Sequence, residues 1–270
     1  MDYSTFLASA MALAPYWPAQ AAVGLVGTKP TEALAILRRQ GLLMDSAMFS
    51  ATGGINTHKG LVFALSLLLY GAGFVLFSGR RLKPEETAET AAAAVQGCCR
   101  KELETLKDAL PQRRLTSGEK IFLAHGLRGI RGEAESGFPS VLTVGLPRLR
   151  KALFSGADLN DSALYSLFHI MEACEDTNIV ARKGYSFWKG EYRELLSPLL
   201  ALEPPFSERD MAVIDIADKR FSTEGISPGG AADLLTCTLF LHWIDGYPNQ
   251  FVNNIPTEYN ICNFFREVKT

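Results

Sequence analysis

The sequence has no repeated short runs of alternating apolar and polar residues between tight turns, which argues against a sandwich or a barrel. Its cysteines number five, and they lie in apolar stretches without the spacing of a zinc finger. An odd, scattered set of this kind reads as reduced, buried thiols rather than a disulfide framework. No basic region follows Met1, and Leu7 to Ala14 lacks the architecture of a secretory leader, so a cytoplasmic protein is expected. A surplus of positive charge is also missing. The net charge is −2, so neither nucleic acid nor an anionic membrane is an expected partner, and any anion site must be local. There is no internal repeat and no low-complexity linker.

What is present is helical periodicity in a chain of 270 residues, 47% hydrophobic and 21% charged. One all-α, compact multi-helix domain is expected. From Thr31, the residues Leu34, Leu37 and Leu42 recur at near-helical spacing while Arg38 and Arg39 face outward. Pro84 sits at a favoured first helical position, ahead of Glu85 and Glu86 and a run to Asp108 that ends before Pro111. Asp161 is read as the cap of a helix burying Leu164, Leu167, Phe168 and Met171. Ser207 with Asp210 forms a capping box before a helix through Lys219. Leu61 to Phe77 is nearly apolar throughout; it reads as a helix buried on all sides rather than a membrane span.

Four polar, glycine-bearing stretches are not explained by packing. Thr52-Gly53-Gly54-Ile55-Asn56-Thr57-His58-Lys59-Gly60 runs directly into that apolar helix. Its freed amides, with Lys59, suit phosphate oxygens, although the spacing is not that of a Walker A loop. An ordinary cap by Asn56 or Thr57 is the plainer alternative. Ser227-Pro228-Gly229-Gly230-Ala231-Ala232-Asp233 makes a second helix start, with Asp233 one turn inside and costly to bury without a partner. Arg128 to Pro139 alternates charge and glycine and is read as a loop, in which Arg131 suits phosphate and Glu133 or Glu135 suits magnesium or a proton. Glu175-Asp176-Thr177-Asn178, with Arg182, brings hard oxygen ligands to a helix end; these suit magnesium better than zinc. His169, just upstream, is read as a core histidine.

In this order the four stretches resemble the triphosphoribosyl-dephospho-CoA synthases, from about Tyr3 to Leu241. The resemblance implies a helical domain over residues 1–241, an atypical tail over 242–270, and an unusual Arg182-Lys183-Gly184 where the family has Arg-Gly-Gly. Of the family's upstream segment only Met1-Asp2 is present, so the resemblance implies that the usual N-terminal segment is lacking. It further implies a pentosyl transfer in which the ribose 2′-hydroxyl of dephospho-CoA attacks the anomeric carbon of ATP, adenine leaves, and the triphosphate is retained. The product is the precursor of the citrate lyase prosthetic group, and a transferase that loads the citrate lyase acyl carrier protein is the implied downstream partner. Malonate decarboxylase systems use the same chemistry.

Such a site needs a carboxylate base, and water must be excluded from an oxocarbenium-like transition state. Asp233 is the expected base, and Glu133 and Asp176 are the expected magnesium ligands. Lys59, His58 and Arg131 are expected to hold the triphosphate. Gly53, Gly54, Asn56, Thr57, Asn178, Arg182, Ser227, Gly229 and Gly230 complete the expected nucleotide contacts. A magnesium-dependent helical nucleotide hydrolase and a non-catalytic nucleotide-binding protein are the competing readings.

Overall fold

The computed structural model describes residues 2–106 and 115–245, and among these every regular element is a helix. Asp108, Pro111, Cys262 and residues 246–270 of the expected tail lie outside the described residues. The first half comprises α1 (Tyr3–Leu13), α2 (Trp17–Leu25), α3 (Pro30–Ala51), α4 (Lys59–Phe77), α5 (Pro84–Val95) and α6 (Cys98–Glu104). The second comprises α7 (Ser117–His125), α8 (Gly129–Glu135), α9 (Leu146–Phe154), α10 (Leu159–Ala173), α11 (Thr177–Lys183), α12 (Tyr185–Lys189), α13 (Glu191–Leu200), α14 (Glu208–Glu224) and α15 (Gly229–Ile244). A short π-helical segment, Ser140–Gly145, joins α8 to α9.

Helix α4 is the axis of the bundle. It packs against α2, α3, α5 and α15, and buries Leu61, Val62, Leu67, Leu68, Tyr70 and Val75. Among the described residues it is the one helix long and apolar enough to cross a membrane, and most of it is covered by its neighbours. The approach to α2 is close because two glycines face it. A methyl group on Gly24 would meet the backbone of Tyr70 and Phe74, and one on Gly73 would meet Ala21 and Leu25. Backbone contact of this kind packs two helices to high density without long side chains.

Several local expectations are corrected by tertiary context. On α3 the buried stripe runs through Leu34, Leu37, Gln40, Met44 and Met48, whereas Leu42 is 69% exposed, because helical pitch carries it away from α4. The run from Pro84 does not reach residue 108 as one helix: Gly97, at φ 72°, breaks it into α5 and α6. Asp158, not Asp161, caps α10 by accepting from the Asp161 amide at 2.8 Å, and Asp161 Oδ2 accepts from the Phe206 amide at 2.9 Å. The Arg128–Pro139 stretch is a helix for seven of its residues, not a loop. The capping box at Ser207 and Asp210 is present, and α14 continues beyond Lys219 to Glu224. Helix α15 runs through residues 241 and 242 without interruption. The four cysteines among the described residues are free thiols.

Candidate functional site

The start of α15 is capped by another element. Pro228 takes the cap position without a side-chain hydrogen bond, and the Ala231 amide donates instead to Asp176 Oδ2 at 3.1 Å. Asp176 Oδ1 caps its own helix, α11, by accepting from Asn178 at 2.9 Å and Ile179 at 3.4 Å. One fully buried carboxylate therefore joins two positive helix ends, which is where an anion is best tolerated. Burial pushes its pKa above the usual carboxylate range, while the backbone donors pull it back. Gly230 leaves room for this carboxylate, since a β-carbon there would lie 3.1 Å from it; one on Gly229 would crowd the Asn178 side chain at 2.9 Å.

Helix α8 is attached to the same junction. Glu175 Oε2 accepts from the amides of Arg128 at 2.8 Å and Gly129 at 3.2 Å, so a side chain 46 residues away in sequence starts this helix. Glu133 Oε1 accepts from the Ser140 amide at 2.6 Å, and its other oxygen accepts from the Ser140 hydroxyl at 3.1 Å. Burial and the neighbouring Glu175 raise the Glu133 pKa against those hydrogen bonds. Glu133 and Glu175 line a crevice of about 340 Å³, walled also by Arg128, Ser140, Thr143 and Val144. The π-helical segment thus forms one side of this crevice, a frequent placement for such distortions. Cys174 and Cys237 are fully buried among the carboxylates. Their thiols are pushed well up and stay protonated, which removes them as nucleophiles.

The third attachment reaches α4. Asp233, one turn into α15, lays its carboxylate over Gly60 and accepts a hydrogen bond from the Leu61 backbone. Desolvation and the charge of Asp176 hold its pKa well above the ordinary value. Next to it, the Lys59 amide donates to Asn56 Oδ1 at 3.2 Å, and the half-exposed Lys59 ammonium meets Asp45 Oδ2 at 3.2 Å. The other Asp45 oxygen is buried without a hydrogen-bond partner.

Through these contacts the four stretches singled out in the sequence meet: 52–60 through Gly60, 128–139 through Glu175, 175–178 through Asp176, and 227–235 through Asp233 and Gly230. The individual side chains separate into groups. Gly53 and Gly54 form an exposed turn at positive φ. His58 Nδ1 lies 2.7 Å from the buried Ser9 hydroxyl, Thr57 donates to the same oxygen at 2.7 Å, and Phe6 stacks edge-on against the ring. Those two residues fasten the loop to α1, and burial lowers the His58 pKa. Arg131 turns away toward Glu102, at 3.8 Å, which also binds Arg38. Arg182 is exposed at the far end of α11, about 9 Å of helix rise from Asp176. Ser227 makes no capping hydrogen bond to α15. His169 is half-buried against Tyr165.

Arg128 and Asp45 are the site residues that sequence reasoning left unassigned. The signal for Arg128 was its spacing from Gly132: a β-carbon on Gly132 would lie 3.0 Å from Arg128 Nε, so the missing side chain lets the arginine lie flat along α8. Glu175 was legible as a hard oxygen ligand, but its capping of α8 was not, since its partners there are backbone amides distant in sequence.

A magnesium ion that travels with substrate phosphates needs one or two carboxylates from the protein. Glu133 and Glu175, side by side on the crevice wall, fit that requirement. Asp176 does not, since it is fully buried and inaccessible. Among the described residues no three metal-ligating side chains cluster.

Comparison with known proteins gives the chain's family. A family model described as ATP:dephospho-CoA triphosphoribosyl transferase matches residues 1–251. The chain is 34% identical to a 2-(5''-triphosphoribosyl)-3'-dephosphocoenzyme-A synthase of Pectobacterium atrosepticum over 247 residues, covering 90% of this chain and 77% of that one. A Streptococcus mutans protein named a probable synthase of the same kind is 34% identical over 254 residues, covering 91% of this chain and 85% of its own. A solved chain from Archaeoglobus fulgidus, described as a triphosphoribosyl-dephospho-CoA synthase, superposes with a TM-score of 0.57 over 90% of this chain and 100% of that one. At 18% identity that last likeness concerns the fold.

Proposed function

This chain belongs to the ATP:dephospho-CoA triphosphoribosyl transferase family, and from that premise we propose that it joins ATP to 3'-dephospho-CoA with release of adenine. The transferase class follows from the family. The product is 2'-(5''-triphosphoribosyl)-3'-dephospho-CoA, serving as precursor of an acyl-carrier prosthetic group, that of citrate lyase or of malonate decarboxylase.

The observation that carries this reading is Asp233. Its carboxylate sits on the positive end of α4 with a pKa raised by burial and by Asp176, and a raised pKa makes a carboxylate a better proton acceptor. In the reaction it takes the proton of the acceptor 2'-hydroxyl while that oxygen forms its bond to the anomeric carbon, the bond to adenine breaks with its electron pair on the base, and the departing base takes up a proton to leave as neutral adenine. Inversion in a single displacement leaves no covalent intermediate on the protein. Positive charge that develops on the ribose is stabilised by Glu133, on the wall of the acidic crevice.

Glu175 would hold magnesium, whose bound charge would neutralise part of the triphosphate. The raised pKa of Glu133 falls back when a cation arrives, because an opposite charge favours the ionised form. Lys59, half exposed at the start of α4, reaches the triphosphate by leaving Asp45.

The test is incubation of the chain with ATP, magnesium and dephospho-CoA, followed by mass spectrometry. Free adenine and the triphosphoribosyl adduct are expected in equal amounts. Release of phosphate without adenine would make the protein a hydrolase, and ATP binding without any product would make it a binding protein.

A further inference from the structure

The crevice that holds Glu133 and Glu175 has a neighbour of opposite charge. A second crevice, of about 430 Å³, opens beside it between α6 and α8; its charged walls are Arg100, Lys101, Glu104, Arg128 and Glu135. The two crevices share Arg128 and Ser136. On the first side Arg128 faces two carboxylates. On the second it is joined by Arg100 and Lys101, three cations against the two carboxylates Glu104 and Glu135.

The cations of the second crevice are only loosely committed. Arg100 pairs with Glu104 at 3.1 Å, but both side chains are more than half exposed, and an ion pair in that setting is weak. Lys101 has no ion pair among the described residues. Arg128 contacts Glu135 Oε2 and Ser136 Oγ, each at the long distance of 3.4 Å, so a phosphate can take further, shorter bonds from the same guanidinium without displacing it from the nearly buried Glu135. Its backbone, by contrast, is fixed by Glu175, and Gly132 keeps its side chain lying along α8. A pre-positioned guanidinium in one crevice with two accessible cations matches a chain of phosphate oxygens.

We propose that this basic crevice is the subsite for a polyphosphate of one of the two substrates, gripped by Arg128 on its inner wall and by Arg100 and Lys101 on its outer one. The proposal rests on the pentosyl-transfer reading above and adds a division of labour to it. The acidic crevice stabilises a cationic sugar, and the basic one anchors the anionic arm attached to that sugar or to its attacker. Arg128 is the post between them. The donor's triphosphate and the acceptor's diphosphate share this chemistry, and the test separates them.

The experiment uses the full chain carrying Arg100→Gln with Lys101→Gln, and a control carrying Arg80→Gln with Arg81→Gln, which removes equal charge from an exposed turn elsewhere. Inorganic tripolyphosphate binding is measured by calorimetry, and KM is measured separately for ATP and for dephospho-CoA. Tripolyphosphate is expected to bind the parent and the control alike, and the double variant at least tenfold more weakly. KM is expected to rise tenfold for whichever substrate places its phosphates there, with kcat changed less than threefold. Equal tripolyphosphate binding in all three proteins, or an equal loss in the control, overturns the subsite. A parent that binds tripolyphosphate at this crevice but forms no adduct would overturn the reaction and leave the subsite standing.

Discussion

The carboxylate of Asp233 occupies the space that a side chain on Gly60 would need, so the first turn of α4 and the first turn of α15 are locked together through an absent β-carbon. The contact is between an acid and a helix end, and it places the expected base in the same pocket of charge as Asp176.

Gly60→Ala tests that arrangement directly. Alanine is intrinsically better in a helix by about 0.8–1 kcal/mol, so the variant should fold, with a melting temperature within a few degrees of the parent. The carboxylate of Asp233 is the flexible end of its side chain and must rotate away. Turnover should fall at least tenfold while KM for ATP stays nearly constant. Undiminished turnover would separate Asp233 from the chemistry.

The four motif stretches could be read from sequence because glycine beside charge in an apolar chain has no packing explanation, and the bundle does bring them to one junction. Helix type was legible for the same reason that α4 was: long apolar runs have few other solutions. Side-chain direction was not. His58 looks like a ligand until Ser9, 49 residues earlier, supplies its partner. Arg131 and Arg128 are equivalent in sequence, and only the positions of Glu102 and Gly132 decide that one turns outward and the other lies along the crevice. The 128–139 stretch escaped recognition as a helix because its cap, Glu175, comes from another part of the chain.

Asp233→Asn should lower turnover by a factor of about 10² to 10⁴, the range for loss of a general base, with little change in ATP affinity. The pH dependence has a definite sign. Activity in the parent should rise as pH climbs through the elevated Asp233 pKa, and that limb should be missing from the residual activity of the variant. Stability should move the opposite way. An acid whose folded pKa lies above its unfolded one contributes stability that is fully present below the unfolded value and lost as pH rises through the folded one. Thermal melts at pH 8 should therefore show the asparagine variant more stable than the parent. A variant less stable at that pH would mean that the carboxylate is paired rather than strained.

Lys59→Ala should weaken ATP binding by about 1.5–3 kcal/mol, the usual range for a charge-assisted contact to phosphate. In the resting protein its ammonium is held by Asp45. Asp45→Asn should then free the lysine and leave ATP affinity equal to or tighter than that of the parent. Calorimetric titration of both variants checks this. Equal weakening by both would make the pair a structural clamp between α3 and α4 rather than a substrate contact.

Asp176→Ala should damage the fold first and the chemistry only through the fold. The carboxylate is fully buried and serves three backbone amides, at the starts of α11 and α15. Stranding buried donors costs about 1–3 kcal/mol each, offset in part by relief from desolvating the charge, so a loss of about 3 kcal/mol is reasonable. At about 2–4 °C per kcal/mol for a chain of this size, the melting temperature should drop by about 6–12 °C. Asp176→Asn keeps an acceptor for Asn178 and Ile179 but turns an amide group toward the Ala231 N–H, so it should fall between parent and alanine. In both variants the remaining folded fraction should keep kcat within a few-fold of the parent at low temperature. If Asp176→Asn instead abolished turnover with an unchanged melting curve, the carboxylate would be acting on substrate, and the junction would have to open during catalysis to expose it.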